Sequence, residues 1–211
     1  MTNVLIVDDH PIVRRGLKEI LREESDWSVV EAENATDALD ELKREQFDLA
    51  VVDMDLPGMN GLELLKEIKR HKKNLPVLIL SVYPEDQIAV RVLKAGASGF
   101  VSKESAPEQL VGAIRKILAG GKHISEHVAD LLLMYFEGRS DGAIHERLSD
   151  REFQILCLFG EGKSIKQIAE ELSLSAPTVS TYRARILNKM EMRSTAELVR
   201  YAIQKRISGP K

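Results

Sequence analysis

The sequence predicts two domains of different fold class: an α/β domain with a doubly wound, five-stranded parallel sheet, then a smaller all-α domain of four helices. Two observations predict this division. Five short apolar runs alternate with five helical patterns over the first 120 residues, and the strand pattern does not resume after them. The charge divides near the same point, because residues 1–125 carry 17 Lys/Arg against 21 Asp/Glu, whereas residues 148–211 carry 11 against 7. An acidic first part and a basic last part indicate different partners.

The elements of the first domain follow from its hydrophobic periodicity. Short continuous apolar runs are typical of strands that are buried on both faces of a parallel sheet, and they are expected at 3–9, 27–33, 47–53, 76–81 and 99–103. Apolar residues three and four apart predict helices, which are expected at 12–22, 35–45, 62–71, 85–96 and 106–120. The first of these helices has a predicted apolar stripe of Ile12, Val13, Leu17, Ile20 and Leu21. Right-handed crossovers through such helices give a doubly wound fold.

The domain boundaries follow from the composition between the two patterns. Gly120 and Gly121 end the last helix of the first domain, which is predicted to span residues 1–121. Residues 122–146 are predicted to be a linker, with a helix at 126–136 followed by a polar, Gly-containing stretch. The second domain is predicted to span residues 147–211.

The starts of the helices in the second domain carry a recognisable signal. Three of the four short helices open with Ser and, three residues later, Glu or Gln, which is the pattern of a capping box. The three pairs are Ser149 with Glu152, Ser164 with Gln167, and Ser194 with Glu197.

The composition excludes several classes of protein. The single cysteine, Cys157, has no partner for an intramolecular disulfide, and its apolar surroundings favour a buried packing role over a catalytic thiol. No apolar run approaches the roughly 18 residues that span a bilayer, and the N-terminus lacks a signal-peptide pattern. We therefore expect a cytoplasmic protein with no membrane partner.

The ends of the predicted strands carry charged and hydroxyl groups: Asp8, Asp9, Asp53, Asp55, Ser81 and Lys103. In an open parallel sheet, ligands bind outside the carboxyl ends of the strands, near the switch in strand order. We therefore expect the three carboxylates of Asp8, Asp9 and Asp53, a hydroxyl and an amine to converge on one rim of the sheet, with Asp55 just beyond the end of its strand.

These groups leave three interpretations of the stretch VVDMDLPGMNG at 51–61. Strand ends are naturally polar, so the acidic residues could belong to a turn. Clustered carboxylates repel one another unless a cation neutralises them, and hard oxygen ligands suit Mg²⁺, which leaves room for a phosphate. The third interpretation is phosphoryl transfer with a carboxylate nucleophile, in which positioning and charge neutralisation supply the rate.

At this point the sequence resembles a known family. Asp8-Asp9, the stretch at 51–61, Ser81 and the GFVSK that contains Lys103 together resemble the signature of a response-regulator receiver domain, over roughly residues 1–120. The resemblance implies a flavodoxin-like fold and an Asp53 that accepts phosphate from a histidine kinase. Ser81 and Lys103 would then bind the phosphoryl oxygens, and Phe100 would be the aromatic side chain of the conformational switch.

The resemblance also implies a metal site. Asp9 would ligate Mg²⁺ directly, Asp8 would do so through water, and Asp53 would be a further ligand. Asp55 would contribute its backbone carbonyl and not its side chain.

The second domain contains the outline of a helix-turn-helix in SIKQIAEELSLSAPTVSTYRARILNKM at 164–190. Its second helix turns Val179, Ile186, Leu187 and Met190 inward. The outward positions are small, hydroxylic or cationic, and no acidic side chain lies within 177–190, so this face suits a DNA major groove. A generic helical hairpin is the alternative. The candidate DNA contacts are Thr178, Ser180, Thr181, Tyr182, Arg183, Arg185 and Lys189.

This segment and the LSDRE that precedes it resemble the LuxR-type helix-turn-helix of NarL/FixJ response regulators, over about residues 147–207. The TVSTY at the start of the second helix is similar to the BvgA/EvgA-type subgroup. The resemblance implies a two-component transcription regulator that is not an enzyme and whose last helix makes the contact of a DNA-bound dimer. Its implied partners are a sensor histidine kinase, promoter DNA, a second copy of the chain when phosphorylated, and RNA polymerase.

Two alternatives remain from the residues alone. The Asp-x-Asp of 53–55 is also similar to that of aspartyl-nucleophile phosphatases, in which the second Asp is the acid/base. A regulator that binds DNA without phosphorylation is the other alternative.

Overall fold

The computed structural model of the chain describes residues 1–83, 85–136, 144–205 and 207. The chain divides into two compact units, Met1–Leu131 and Leu132–Lys211. Residues 137–143 of the predicted linker and residues 208–211 of the predicted second domain lie outside the described residues. Within the described part of the chain, no helix is both long enough and apolar enough to cross a membrane.

The first unit alternates strands and helices, as the periodicity predicts. The strands are β1 (Thr2–Val7), β2 (Trp27–Ala32), β3 (Leu49–Asp53), β4 (Val77–Ser81) and β5 (Gly99–Ser102). The helices are α1 (Pro11–Arg22), α2 (Ala35–Arg44), α3 (Gly61–His71), α4 (Glu85–Lys94) and α5 (Ala106–Leu118), followed by α6 (Glu126–Phe136), which begins in this unit and ends beyond Leu131. The last of these falls where the linker helix is predicted.

The five strands form one parallel sheet in the order β2-β1-β3-β4-β5. This is a doubly wound sheet, so the predicted fold class is confirmed. The order reverses between β1 and β3, and the crevice outside their carboxyl ends is where ligands bind in such sheets. Asp8 and Asp9 follow β1 directly, and Asp53 is the last residue of β3. The topology therefore brings the predicted acidic residues to the switch point.

Helices cover the sheet because its strands are apolar on both faces. All five residues of β3 and all five of β4 are buried. On one face, Val51 and Leu80 pack in a cluster that includes Leu17 and Leu21 of α1 and Ile114 of α5. Burial on both sides explains the continuous apolar runs in the sequence.

One residue of the predicted α1 stripe is misplaced. Ile12 is 87% exposed, whereas Leu17 and Leu21 are buried. At 100° per residue, Ile12 lies nine positions before Leu21 and so about 180° around the helix from it. Ile12 therefore does not belong to the buried face of α1, although its spacing in the sequence suggests that it does.

The second unit contains a 3₁₀ turn (Ile144–Arg147) and four α-helices, which are α7 (Asp150–Gly160), α8 (Ile165–Glu171), α9 (Ala176–Lys189) and α10 (Thr195–Gln204). The predicted all-α architecture is confirmed. Nine consecutive residues of α7, Arg151 to Phe159, are buried, so α7 is the central helix against which α9 and α10 pack. Val179, Ile186 and Met190 of α9 are buried, as predicted, and Leu187 is half-buried.

Two of the three predicted capping boxes form completely. In the boxes of Ser149 and Ser164, the serine side chain accepts a hydrogen bond from the backbone amide three residues later. The side chain of that later residue accepts a hydrogen bond from the backbone amide of the serine. The third forms only in part, because the Ser194 hydroxyl accepts from the Glu197 amide, but Glu197 Oε2 accepts from the amide of Arg193, at 2.9 Å. An amide one residue upstream competes for the same carboxylate.

The turn between β3 and α3 contains a cap that the sequence prediction overlooked. Asn60 Oδ1 accepts from the Glu63 amide at 2.8 Å, and Glu63 Oε2 accepts from the Asn60 amide at 3.1 Å. Gly61 follows, and its amide donates to Met54 O at 2.9 Å. A Cβ at position 61 would lie 2.0 Å from the carbonyl oxygen of Asp53. The chain therefore returns so closely past the end of β3 that only glycine fits.

We expect Gly61→Ala to lower the free energy of unfolding by roughly 2–3 kcal/mol, because the new methyl group must displace the backbone at Asp53. Gly16→Ala is the matched control, since an added Cβ there meets nothing within 4 Å and the site lies inside α1. It should raise stability by about 0.5–1 kcal/mol. Urea unfolding followed by circular dichroism measures both, and equal stabilities of the two variants would contradict the close packing of the turn.

Candidate functional site

A lysine joins two strand ends at the carboxyl edge of the first unit. Lys103 follows β5, and its Nζ lies 2.7 Å from Asp53 Oδ2 and 2.8 Å from Asp8 Oδ2. Its backbone amide donates to the carbonyl of Ser81, at 2.8 Å. The predicted convergence of Asp8, Asp53, Ser81 and Lys103 is present, because parallel strands end at the same edge.

The charges at this edge are buried and only partly balanced. Asp8 and Asp53 have no exposed surface. Burial raises the pKa of Asp53; the Lys103 ammonium opposes this increase, and the neighbouring Asp8 adds to it. Burial lowers the pKa of Lys103, but the two carboxylates outweigh burial and raise it above its ordinary value. A single ammonium between two carboxylates therefore leaves a deficit of positive charge at Asp53.

The third carboxylate, Asp9, has a buried oxygen in close contact with a histidine nitrogen. His10 Nδ1 lies 2.7 Å from Asp9 Oδ1, yet hydrogen-bond geometry is not met, and Asp9 Oδ1 is a buried oxygen without a hydrogen bond among the described residues. Ligand atoms of Asp8, Asp9, His10 and Asp53 all lie within 4.8 Å of one another. These residues fit a divalent cation. A carboxylate oxygen that accepts no hydrogen bond can ligate the cation, and the deficit of positive charge favours its binding. His10 was not predicted, although it follows Asp9 directly.

The other predicted residues of this unit are Asp55, Phe100 and the side chain of Ser81. The Asp55 amide donates to Asp53 Oδ1 at 3.3 Å. Ser81 is fully buried, and its Oγ accepts from the Tyr83 amide at 3.0 Å. Phe100, in the middle part of β5, is buried with 3% exposure. The aromatic side chain of the predicted switch is therefore inside the domain in this structure.

The outer face of α9 in the second unit carries hydroxyl side chains and an arginine. Ser175 caps the helix, since its Oγ accepts from the Thr178 amide at 3.2 Å. Thr181 and Arg185 are exposed, and the Arg185 guanidinium lies 5.8 Å from the centroid of the Tyr182 ring. Ser180 and Tyr182 are half-buried. Arg185 is therefore an exposed cation on this face, close to exposed hydroxyl side chains.

The other two predicted cations of α9 contact the unit itself. Arg183 is half-buried, and its Nη1 lies 3.4 Å from Thr195 Oγ1. Lys189 Nζ donates to Glu152 Oε2, at 2.6 Å. The Glu152 side chain is only 4% exposed. Burial raises the pKa of Glu152, but the hydrogen bonds from Lys189 and Ser149 outweigh burial and hold it below its ordinary value.

Comparison with known proteins matches a family to each part of the chain. A family model described as the response regulator receiver domain matches residues 4–115, and one described as bacterial regulatory proteins of the luxR family matches residues 146–202. The chain is 35% identical to the response regulator UvrY of Escherichia coli (strain K12), over 97% of this chain and 94% of the relative. The chain is a LuxR-family response regulator. Neither of the matched families is described by an enzymatic activity.

Other relatives of this response regulator agree. It is 34% identical to the response regulator GacA of Pseudomonas aeruginosa, over 97% of this chain and 96% of the relative. It also resembles a structure of RcsB from Salmonella enterica serovar Typhimurium that is bound to the promoter rprA in the presence of phosphomimetic BeF₃⁻. That comparison has a TM-score of 0.64 and 29% identity, and covers 95% of this chain and 97% of RcsB.

We expect Lys189→Met to lower the free energy of unfolding of the response regulator by about 1–2 kcal/mol, because it leaves the buried Glu152 carboxylate without its cation. A carboxyl whose folded pKa is lowered contributes stability that is lost as the pH falls through that pKa. The difference between variant and wild type should therefore shrink at acidic pH. Denaturant unfolding at a series of pH values measures it.

Lys166→Met is the control for this substitution. Lys166 is 85% exposed and lies 3.9 Å from Glu170, so its loss should change stability by less than about 0.5 kcal/mol. If the two variants unfolded alike at neutral pH, Lys189 would have no structural role.

Proposed function

We propose that this response regulator is phosphorylated on Asp53 by a histidine kinase with Mg²⁺, and that phosphorylation promotes dimerisation and binding to promoter DNA. The observation that carries the proposal is the partly buried Lys103 ammonium between the buried carboxylates of Asp53 and Asp8, beside an Asp9 oxygen that accepts no hydrogen bond among the described residues. Residues 1–121 would be the receiver domain, 122–146 the linker and 147–211 the DNA-binding domain. The protein would act in the cytoplasm, with RNA polymerase as a further partner.

The carboxylate of Asp53 acts as the nucleophile. One of its oxygens forms a bond to phosphorus while the bond from phosphorus to the histidine nitrogen of the kinase breaks, and the imidazole keeps the electron pair. Lys103 is already 2.7 Å from Asp53, so its ammonium is in place to neutralise charge on the transferred group. The Ser81 hydroxyl donates to a phosphoryl oxygen once it turns away from the Tyr83 amide.

Mg²⁺ would be held by Asp8, Asp9, Asp53 and the backbone carbonyl of Asp55, and would neutralise the carboxylates and the oxygens of the incoming phosphoryl group. His10 Nδ1 lies within reach of the same cluster. The role of Asp55 is thus carried by its main chain, and the side chain is not the acid/base of a phosphatase. The acidic Asp8-Asp9 pair next to Asp53 supports the receiver chemistry over that alternative.

The second domain would place α9 in the major groove of DNA. The proposed contacts are Thr178, Ser180, Thr181, Tyr182, Arg183, Arg185 and Lys189. Arg185 is the strongest candidate for a base contact, because it is exposed and carries a bidentate donor group. The promoter-bound structure of RcsB supports this proposal. A two-fold dimer through α10 would bind paired half-sites.

We expect Asp53→Asn to abolish labelling by acetyl phosphate in the presence of Mg²⁺, because the amide is not a nucleophile. Asp55→Asn should retain labelling, with a rate reduced less than about tenfold, since its backbone carbonyl is unchanged. Intact-protein mass spectrometry measures the phosphorylated fraction of each protein.

Two outcomes would redirect the proposal. Turnover of added phosphomonoesters that is lost in Asp55→Asn would favour a phosphatase. Equal dimerisation and equal genome-wide DNA occupancy of wild type and Asp53→Asn would favour a regulator that acts without phosphorylation, whereas no occupancy for either would contradict DNA binding.

We expect Arg185→Ala to weaken binding to duplexes selected from a random-sequence library by roughly 10–100-fold, the range for losing one bidentate base contact. It should also reduce the dependence of binding on salt by about one unit of slope. Arg185→Lys keeps the charge and should preserve the slope while still losing sequence preference. Fluorescence anisotropy at several salt concentrations measures both quantities. Equal affinities of wild type and Arg185→Ala would exclude Arg185 from the interface.

A further inference from the structure

A short segment after α5 pairs with the edge of the sheet. We call residues 122–125 the edge strap. The His123 amide donates to Ser98 O at 3.1 Å, and the Phe100 amide donates to His123 O at 3.0 Å, which makes a parallel bridge between Gly99 and His123. Lys122 Nζ adds a bond to Ala97 O at 2.7 Å. The edge strap is thus a partial sixth strand beside β5.

The other end of the edge strap is attached to α4. The Ser125 amide lies 3.3 Å from Glu85 Oε1, and Glu85 is the first residue of α4. Ser125 in turn starts α6, because its Oγ accepts from the Val128 amide at 3.2 Å and its carbonyl accepts from the Ala129 amide at 3.1 Å. Val128 is fully buried. The start of α6 therefore depends on where the edge strap is held.

Gly99 is the position at which β5 admits the edge strap. A Cβ on Gly99 would lie 2.8 Å from His123 O and 2.9 Å from His123 Cβ. Such distances require a shift of the backbone of His123. The edge strap can therefore pair with β5 in this position only because residue 99 has no side chain.

Both attachments of the edge strap lie close in sequence to, or at, the residues of the predicted switch. Phe100, whose amide bonds to the edge strap, is the predicted switch aromatic and is buried. Glu85 lies four residues after Ser81 in the sequence. The Ser81 Oγ now accepts from the Tyr83 amide, and a hydroxyl that turns toward a phosphoryl group leaves that amide without its acceptor.

We propose that the edge strap is the element that transmits the state of Asp53 to α6: it is paired to β5 and Glu85 in the unphosphorylated protein and released on phosphorylation. The proposal rests on the proposed function of Asp53. Among the described residues the edge strap is held by a few hydrogen bonds, so small displacements at Phe100 and at Glu85 suffice to shift it from a paired to a released state. Its release removes the cap of α6, which leads in sequence to the DNA-binding domain.

Hydrogen exchange of the full-length chain, followed residue by residue by NMR, tests this proposal. Adding BeF₃⁻ with Mg²⁺ should speed exchange of the His123 and Ser125 amides by about tenfold or more, because their bonds belong to a locally opening segment. The Met54 amide, which donates to Leu80 O inside the sheet, should exchange at an unchanged rate.

The same experiment separates two failures. If the Tyr83 and Lys103 resonances shift on adding BeF₃⁻ but His123 and Ser125 exchange as before, the edge strap does not report on Asp53 and the proposal is wrong. If no resonance at the site responds, Asp53 does not accept the phosphoryl mimic, and the proposed function falls together with this inference.

Variants test the edge strap without any phosphoryl mimic. Gly99→Ala should release it, and speed exchange at His123 by about tenfold, because the added methyl group displaces His123 O. Gly112→Ala is the matched control, since a Cβ there meets nothing within 4 Å, and it should leave exchange at His123 unchanged. Glu85→Ala releases the other end of the edge strap and leaves β5 intact. It should speed exchange at Ser125, because the acceptor of the Ser125 amide is removed. Unchanged exchange in both Gly99→Ala and Glu85→Ala would overturn the proposal.

Discussion

One ammonium group between two buried carboxylates is the interaction around which the first domain is arranged. Lys103 can reach both Asp8 and Asp53 only if β1, β3 and β5 end at the same level, and a parallel sheet with its order switch between β1 and β3 provides that. Burial makes the arrangement sensitive, because each unbalanced charge is costly in a low-dielectric site. The chain must also clear the end of β3 as it turns into α3, which is why no side chain fits at Gly61.

The cationic residues of α9 in the second domain differ in their contacts: Lys189 and Arg183 contact other parts of the domain, and Arg185 is exposed. The long side chain of Lys189 turns back to neutralise Glu152, beside the capping box that starts the central helix. Arg183 lies near the start of α10 through Thr195. Two of the residues that a helical wheel places on the outer side of α9 thus contact the rest of the unit, whereas Arg185 is exposed and lies beside the Tyr182 ring.

Most of the fold and the centre of the site could be predicted from the sequence, because both follow from patterns that are local. Continuous apolar runs indicate buried strands, and polar residues at their ends must meet in a parallel sheet. The features that were missed depend on three-dimensional geometry that cannot be inferred from the order of the residues. Ile12 fits the spacing of a stripe but lies on the other side of α1. Lys189 is on the outer side of α9, yet its length lets it reach inward. The edge strap follows Gly120-Gly121, which mark the end of a helix and say nothing of a later pairing with β5.

The hydrogen bonds between β5 and His123 have a consequence for self-association. β5 is an outer strand of the sheet, and an uncovered outer strand offers unpaired amides and carbonyls to the backbone of another molecule. The contacts at Ser98 and Phe100 occupy part of that row. A protein that uncovers this strand when it is activated is then exposed to strand addition for as long as the signal lasts. Brief activation would protect solubility as well as limit the transcriptional response.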